Sequence, residues 1–571
     1  MSSFDSLSEK QKEIVFNKSG KFVVRACPGS GKTYTVSAKL AYLIRNWEDK
    51  YKGIATLSFT NVAWEEIEKY LNNKFSIYTP VNYPHFLGTI DSFINKYIFL
   101  PFGHLILECE CRPTLVGNPH GTWTGFDYSS GQFDNITFDI EGNPYAINPM
   151  KLTSNWQENN PHILRAKKRL LKTGYANQSD ANYFSLEILK NYPSVAKSLV
   201  KRFPNFILDE AQDTTQIQME IIETLQNHGL NQIMLVGDYD QAIFEWNKAR
   251  PELLMEKFKE WEQNSITLNE NWRSSTNICQ FTFHFSTLSE SSRAVNEEVS
   301  NYDAIPKIVS YKDQSYQSVI DQFLDECRQR NIEISKENIA ILCRSKSLLD
   351  EIIGNTENNS TTPWKTGKLY VKDIVFGKYL IDKGNFKKGY KKVERGLYKA
   401  IYNSHYCSRD DIKELVERIG IVGLRTCVHK FTKSLPSTNN LTVGEWTDEA
   451  SSAIDSNEYD ISLEIKPSRH DVPLSNLFSL STVELELDYT FGTVHSVKGE
   501  TFDATLLFLK KSGGKGKHYK TLLNEGATTK DSEELRIVYV AITRPRKLLT
   551  VAVPDEENLN AWNNRRSRLL L

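Results

Sequence analysis

The chain has 571 residues, 40% of them hydrophobic, a length that predicts three or four domains with cores of their own. Lys and Arg (70) balance Asp and Glu (71), so the net charge of −1 does not indicate a nucleic-acid partner, and any such surface must be local. Eight cysteines without a disulfide-framework spacing fit a reducing cytosol, and no apolar run approaches the roughly 20 residues of a membrane span. We therefore expect a cytoplasmic protein with no membrane partner.

The first predicted element is an amphipathic helix over Leu7 to Phe16, with Ser8 as its candidate cap. Gln11 lies on this helix. A side-chain amide at this place can pair with an adenine edge, whereas a lone glutamine is more commonly a surface residue. Both interpretations of Gln11 stay open.

The segment from Phe22 to Thr35 predicts a strand, a loop and a helix. Its glycines let backbone N–H groups close around a polyphosphate, Lys32 reaches the β- and γ-phosphates, and the Thr33 hydroxyl can ligate Mg²⁺ at the helix N-terminus. Ala26 stands where the usual pattern has its first glycine, and a glycine turn before an ordinary helix is the alternative. The candidate nucleotide contacts are Ala26, Cys27, Pro28, Gly29, Ser30, Gly31, Lys32, Thr33 and Tyr34.

Two more units of strand, loop and helix follow. Ile54 to Phe59 predicts a buried strand, Thr60 and Asn61 open the next helix, and Phe86 to Ile90 predicts a third strand. Repeated crossover units predict a parallel α/β sheet. From about residue 96 to 195, Gly, Pro, Asn and Trp become frequent and a basic helical block follows, which predicts an inserted subdomain.

An acidic pair, Asp209 and Glu210, follows the apolar run Phe206 to Leu208. Downstream of a phosphate loop, such a pair suits Mg²⁺-dependent hydrolysis, in which one carboxylate holds the metal and the next activates water. The alternative is a charge pair at a helix N-terminus.

The apolar run Ile233 to Val236 predicts a further strand, and the polar Gln241 follows it near the sheet's carboxyl edge, where ligands of open α/β sheets bind. The aromatic residues Phe244 and Trp246 come next, and for Trp246 a place in the core is the alternative.

The segments PGSGKT, FTN, GTIDSF, LDEAQD, VGDYDQAIFEW, LNENWRSS, TVHSVKGETFD and YVAITRPR, in this order, resemble the motif series of superfamily 1 DNA helicases of the UvrD/Rep/PcrA type. The resemblance runs from Gln11 to Arg546. It implies two RecA-like P-loop NTPase domains with parallel sheets, each carrying an inserted, largely helical subdomain. Such enzymes use ATP and Mg²⁺ to move 3′ to 5′ on single-stranded DNA.

By that similarity Gln11 reads adenine, Glu210 is the catalytic base, and Gln241 senses the γ-phosphate. Trp272 stacks on adenine, and Arg273 and Arg544 stabilise transition-state charge from across the cleft. The full set is Lys32, Glu210, Gln241, Arg273 and Arg544 for catalysis; the phosphate loop with Gln11, Tyr34 and Trp272 for the nucleotide; Thr33 and Asp209 for the metal; and Phe59, Asn61, Phe244, Trp246 and His495 for DNA.

Three positions depart from the family pattern. Asn247 replaces the arginine that usually follows the stacking tryptophan, so that arginine's coupling role is not carried over. In Lys498 to Phe502 the acidic residue comes one place early, as Glu500, so its ribose contact is not carried over either. Tyr34 replaces a common arginine and either pairs with Trp272 around the adenine or faces solvent.

The second RecA-like domain is predicted from a strand at Ile339 to Leu342 and from strands in Thr493 to Phe502, Ala504 to Leu507 and Leu549 to Val553. The chain stops soon after, and we expect no appended nuclease domain. The predicted order is 1–95 and 196–264 for the first domain with an insertion at 96–195, and 265–345 and 481–571 for the second domain with an insertion at 346–480.

Residues 365–399 carry a local charge of +8, from ten lysines and Arg395 against three acidic residues, with six Tyr and Phe interleaved. This composition suits phosphate contacts and base stacking. A solvated helical face with its own aromatic core is the equal alternative.

The expected partners are single-stranded DNA and DNA junctions or ends. Compact members of the family also occur beside a separate nuclease in antiphage systems such as Gabija, and this chain is similar in size. The alternative function is an ATP-operated switch that grips DNA and recruits a partner with little unwinding.

Overall fold

A computed structural model of the protein describes residues 4–77, 80–117, 120, 133–146, 161–243, 248–312, 315–352, 370–401, 409–456, 470–474, 487–510 and 527–567. The predicted mixed α/β architecture is confirmed, because two large sheets, both parallel throughout, dominate these residues. Among them, no helix is both long and apolar enough to cross a membrane.

Six strands form the first sheet, in the order β6-β1-β5-β4-β2-β3. They are β1 (Lys21–Ala26), β2 (Ile54–Ser58), β3 (Phe86–Thr89), β4 (Asn205–Leu208), β5 (Gln232–Gly237) and β6 (Ile266–Leu268). Alternate residues of each strand face two separate cores: Val23 and Leu235 pack on one side, and Val24 and Val236 on the other. Burial on both faces explains the near-continuous apolar runs in the sequence. Because the strands are parallel, the residues after β1, β4 and β5 meet at one edge.

Polar side chains cap several of the helices that precede the end of β6. Ser8, the candidate cap, forms a capping box with Gln11, and the Thr60 hydroxyl accepts from the backbone N–H of Ala63. The helices up to the end of β6 are Glu9–Lys12, Lys32–Arg45, Asn61–Phe75, Ile90–Ile94, Leu100–Phe102, His104–Leu107, Pro161–Lys172, Gln178–Asn191, Pro193–Arg202, Gln216–Asn227 and Pro251–Glu260.

The described part of residues 96–195 has a small core of its own around Phe133, Ile136 and Leu170. Two short strand pairs accompany it, Thr114–Leu115 with Tyr175–Ala176 and Ile136–Phe138 with Pro144–Ala146. Lys167 and Asp180, both fully buried, form an ion pair at 2.9 Å, and the Lys167 amine also donates to the carbonyl of Phe133 in this core. A separate core agrees with an insertion here, although the domain boundaries remain predictions.

The predicted boundary at residue 265 is wrong in one respect. Ile266–Leu268 forms the edge strand β6 of the first sheet, because it pairs in parallel with Val24–Ala26 and buries Leu268 in the same core as Val24 and Val236. The second half therefore begins beyond β6.

Five strands form the second sheet, in the order β7-β11-β10-β8-β9. They are β7 (Lys307–Ser310), β8 (Ile339–Cys343), β9 (Thr490–Thr493), β10 (Phe502–Phe508) and β11 (Pro545–Val553). The predicted strand from Thr493 to Phe502 is wrong, because the chain leaves β9 at Thr493, makes a 3₁₀ turn over Val494–Val497 and reverses at Gly499, whose φ of +95° favours glycine.

The helices of the second half are Thr276–Phe283, Glu297–Ser300, Tyr316–Gln329, Lys346–Ile352, Tyr370–Asp382, Phe386–Ile401, Arg409–Ser434, Val443–Ser456, Glu533–Ile542 and Glu556–Ser567. Within 346–480, the four helices between Tyr370 and Ser456 share a core around Trp446 and Phe431. Tyr370 and Tyr398 are buried, and Asp373 pairs with Lys399 at 2.6 Å. Part of the basic, aromatic stretch therefore serves a helical core, as the alternative interpretation predicted.

Candidate active site

The loop between β1 and helix Lys32–Arg45 has the shape that its glycines require. Gly29 and Gly31 have φ of +71° and +74°, a region that side-chain-bearing residues rarely adopt. A Cβ atom on Gly29 would lie 2.5 Å from Asn271 Oδ1, so the loop approaches the segment after β6 too closely for any side chain. The Ser30 hydroxyl braces the loop by donating to the Cys27 carbonyl at 2.7 Å. The predicted phosphate loop is thus built as a loop closed on itself at the N-terminus of a 14-residue helix.

Thr33 and Asp209, the predicted metal ligands, meet beside this loop. The Thr33 hydroxyl donates to Asp209 Oδ2 at 3.2 Å, and Asp209 is fully buried at the end of β4. Burial, together with the charge of Glu210, raises the pKa of Asp209 to about 7. A hydroxyl and a buried carboxylate next to a phosphate loop are hard oxygen donors, so this pair fits Mg²⁺.

Glu210 has a left-handed backbone, with φ of +54°, which turns its side chain away from the strand direction. Its backbone N–H donates to Asp209 Oδ1 at 2.9 Å, and its carboxylate accepts a hydrogen bond from Gln212 Nε2. Burial opposes ionisation of this carboxylate, but the charges of Lys32 and Lys498 outweigh it and lower its pKa. An ionised carboxylate beside the phosphate loop can accept a proton from water.

Gln241 connects the two halves of the chain. Its Nε2 donates to Asp238 Oδ2 at 2.7 Å, and its Oε1 accepts from Arg544 Nη2 at 3.0 Å. Arg544 is almost fully buried, and its Nε donates to the Val540 carbonyl at 2.9 Å. The structure therefore brings one predicted arginine to the predicted γ-phosphate sensor.

Trp272 and Arg273 follow β6 and contact both halves. The Trp272 backbone N–H donates to the Gly29 carbonyl at 2.9 Å, while the side chain remains 41% exposed. Arg273 Nη1 donates to the Thr543 carbonyl at 3.0 Å, next to Arg544. The segment thus joins the phosphate loop to the end of helix Glu533–Ile542.

The surface interpretation of Gln11 is wrong. Gln11 is 2% exposed, its Oε1 accepts from the Ser8 N–H at 3.0 Å, and its Nε2 donates to the Ser30 carbonyl at 3.3 Å. Its amide therefore ties the first helix to the phosphate loop. Tyr34 is half-buried, with its ring 5.5 Å from that of Phe75 and its hydroxyl 2.6 Å from Ser6 Oγ, so it does not simply face solvent.

The predicted DNA contacts are only partly within the described residues. Phe59 is half-buried after β2, and the exposed Asn61 accepts from Trp64 Nε1 at 3.1 Å. His495 is half-buried on the 3₁₀ turn, where burial lowers its pKa. Phe244, Trp246 and Asn247 lie outside the described residues.

Sequence reasoning missed two polar residues near the acidic pair. Gln212 contacts both Glu210 and Asp213. Lys498 Nζ lies 2.6 Å from Asp213 Oδ2. Both Gln212 and Lys498 stand inside segments of the motif series, but only their contacts across the fold give them roles.

Asp240 forms a second junction. It is 1% exposed and accepts from the Ser286 hydroxyl at 2.8 Å, the Thr287 hydroxyl at 2.7 Å, and the Thr529 hydroxyl. Arg536 lies against the same junction, donating to the carbonyls of Ala242 and Thr529 at 2.8 Å each. Lys248 has a φ of +68°, and its amine lies 4.9 Å from the centre of the Tyr145 ring.

Comparison with known proteins agrees with the motif series. Residues 7–111 and 143–262 match the family described as UvrD/REP helicase N-terminal domain. The chain is 25% identical over 305 residues to a probable DNA helicase II homolog of Mycoplasma capricolum and 26% identical over 296 residues to DNA helicase II of Haemophilus influenzae. A stretch of 109 residues, 18% of this chain and 9% of the relative, is 39% identical to RexA, an exonuclease/helicase subunit, of Streptococcus pneumoniae.

The two longer alignments cover 49% and 48% of this chain and 41% and 39% of the relatives. The chain thus spans about two fifths of the length of these helicase II proteins. The resemblance to UvrD-type helicases that the motifs indicated is confirmed over the matched residues.

Proposed function

We propose that this chain, which matches the UvrD/REP helicase family over residues 7–111 and 143–262, is an ATP-dependent DNA helicase or translocase. One observation carries the proposal: Arg544 from the second half donates to Gln241, and Arg273 contacts the residue next to Arg544. Across from them, Thr33 at the end of the phosphate loop contacts Asp209, the buried member of the acidic pair. Groups for binding, hydrolysis and charge stabilisation thus converge from both halves, an arrangement suited to phosphoryl transfer. The two parallel sheets would be the cores of two RecA-like domains.

Each residue would perform one part of the hydrolysis. The loop amides and Lys32 bind the phosphates, and Thr33 and Asp209 would hold Mg²⁺, which when bound neutralises phosphate charge. Glu210 accepts a proton from the attacking water. Arg273 and Arg544 donate hydrogen bonds to the γ-phosphate oxygens, on which negative charge develops during hydrolysis. Gln241 contacts the γ-phosphate and, through Arg544, links its presence to the second half.

Single-stranded DNA is the proposed track, with movement from 3′ to 5′. Phe59, Asn61 and His495 would contact it, together with Phe244 and Trp246. The activity would serve either DNA repair or antiphage defence. In antiphage defence, a separate nuclease would be the partner. The name of one relative, an exonuclease/helicase subunit, supports looking for such a partner.

The decisive experiment measures ATP hydrolysis and strand displacement by the purified chain. We expect hydrolysis to rise with single-stranded DNA, and a duplex with a 3′ tail to be unwound while one with a 5′ tail is not. Lys32→Ala is the matched control, since it removes the phosphate contact. Absence of hydrolysis with and without DNA would refute the proposal.

A second function makes a different prediction in the same assay. The replacement of the family arginine by Asn247 favours an ATP-operated switch that grips DNA and recruits a partner. That protein would hydrolyse ATP and bind single-stranded DNA but displace no strand from either substrate.

A further inference from the structure

Gln212 occupies the centre of the polar contacts around the candidate base. It is fully buried in the short turn Ala211–Asp213 that follows the acidic pair. Its Nε2 donates to Glu210 Oε2 and lies 3.3 Å from Asp213 Oδ2, and its Oε1 accepts from the Asp238 N–H at 3.0 Å. Both the nitrogen and the oxygen of the Gln212 side-chain amide therefore have hydrogen-bond partners.

The surroundings leave this amide little freedom. A Cβ atom on Gly237 would lie 2.5 Å from Gln212 Oε1, so the end of β5 closes over the side chain. Because a buried amide is held by hydrogen bonds at both ends, its rotamer is fixed, and it can fix the carboxylate to which it donates.

Two routes lead from this amide to the second half. In one, Asp213 Oδ2 also binds Lys498 Nζ at 2.6 Å, and Lys498 follows the turn that carries His495. In the other, Asp238 accepts from Gln241, which accepts from Arg544. One residue, Asp213, thus lies between Gln212 and Lys498 of the second half, and two residues, Asp238 and Gln241, lie between Gln212 and Arg544.

We propose that Gln212 is a positioning residue that sets the Glu210 carboxylate for proton transfer and, through Asp213 and Lys498, makes that setting depend on the docking of the second half. The inference rests on the proposed ATP hydrolysis. Gln212 does not touch the nucleotide in this role; it acts through Glu210. Gln212 thus links docking of the second half to ATP hydrolysis.

The test compares steady-state ATP hydrolysis of Gln212→Leu with that of Gln218→Leu, each with single-stranded DNA. Gln218 is also a buried glutamine that donates to a carboxylate, Asp91 at 2.8 Å, but lies away from the acidic pair. We expect Gln212→Leu to lower kcat by about tenfold or more, since a small misplacement of a reacting group can cost about 10² in rate. KM for ATP should change much less than kcat, and Gln218→Leu should lose stability without this loss of kcat.

Double variants separate positioning from general damage. In a Glu210→Gln background, Gln212→Leu should lower the residual turnover by less than about twofold, because the group that it positions is already gone. The Lys498 side chain is 13% exposed, so Lys498→Met should be tolerated. By itself Lys498→Met should lower kcat, and in a protein that already carries Gln212→Leu it should lower kcat little further. Lys498→Met tests the link even where Gln212→Leu fails to fold.

Three results would overturn the inference. The first is an unchanged kcat in a folded Gln212→Leu protein, and the second is an unchanged kcat in Lys498→Met. In both cases an active wild-type protein would leave the proposed function intact. The third is a wild-type chain that hydrolyses no ATP, which removes the proposed function and the positioning role together.

Discussion

Arg544 donates from Nη2 to Gln241 Oε1 at 3.0 Å, although 303 residues separate the two in the chain. The same Gln241 donates to Asp238 at 2.7 Å, so the proposed sensor is already oriented by one residue of each half. Burial lowers the pKa of Arg544 well below its usual range, with Arg273 as the next largest cause. An anionic phosphate between these two arginines would relieve their mutual repulsion.

We predict that Arg273→Ala and Arg544→Ala each reduce ATP turnover far more than nucleotide affinity. Arginines of this kind are worth roughly 10³ to 10⁵ in rate elsewhere. Single-turnover hydrolysis and binding of a fluorescent ATP analogue would separate the two effects. Arg328→Ala, at an exposed surface ion pair, is the control and should behave as wild type. Loss of analogue binding with unchanged turnover of the bound fraction would contradict the assignment.

We predict that Glu210→Gln binds ATP but barely hydrolyses it, because the amide cannot accept a proton from water. The Gln212 amide can still reach the new side-chain oxygen, so folding should be preserved. Asp209→Asn should also lose turnover, but through loss of the metal ligand, and its defect should lessen at raised Mg²⁺ or Mn²⁺. Near-wild-type hydrolysis by Glu210→Gln in a preparation free of other ATPases would remove the base assignment.

Short patterns in the sequence were enough to locate several parts of this site. The phosphate loop, the ends of β4 and β5, and the helix cap at Ser8 depend on residues close together in the sequence, so local patterns were enough to predict them. Pairing across the fold does not leave such a pattern. Three residues suffice for β6 because β1 lies beside them, and the role of Gln212 depends on contacts with Asp238, 26 residues away.

The second sheet shows the same limit. A strand was predicted from Thr493 to Phe502, but the chain turns at Gly499, and this turn brings Lys498 to Asp213. For Gln11 the sequence favoured a surface position, but the residue is buried. Its amide donates to the Ser30 carbonyl of the phosphate loop, a partner that the sequence of the helix does not reveal.

We predict that the exposed lysines of 365–399 contribute to DNA binding. Lys372, Lys383 and Lys391 are exposed, whereas Lys399 is engaged by Asp373. Reversing the three to Glu should weaken duplex binding and flatten its dependence on salt, since each phosphate contact adds about 0.9 to the log–log slope. Reversal of three exposed lysines elsewhere, Lys259, Lys312 and Lys530, is the control. An unchanged salt slope would favour the solvated helical face.

We predict that Trp246 stacks on a DNA base and couples nucleotide state to movement. It lies five residues beyond Gln241, so a short segment can link the nucleotide site to the strand. Stacking is worth roughly 1 to 3 kcal/mol per base and tolerates any sequence. Trp246→Ala should keep basal ATPase and lose DNA stimulation and strand displacement, while Trp246→Phe keeps a substantial part. Normal unwinding by Trp246→Ala would rule out stacking, and a collapse of its melting temperature would support a core tryptophan.

The Asp240 junction has a consequence for how the protein unfolds. Asp240 follows β5 of the first sheet, and its carboxylate accepts hydrogen bonds from the hydroxyls of Ser286 and Thr287, before β7, and of Thr529, between β10 and β11. Melting of either sheet therefore breaks these hydrogen bonds. We expect one calorimetric transition for the intact chain. Asp240→Ala should divide it into two, since each sheet has cores of its own. A single transition in that variant would mean that the other contacts between the halves, such as Arg544 with Gln241 and Lys498 with Asp213, are enough to make them melt together.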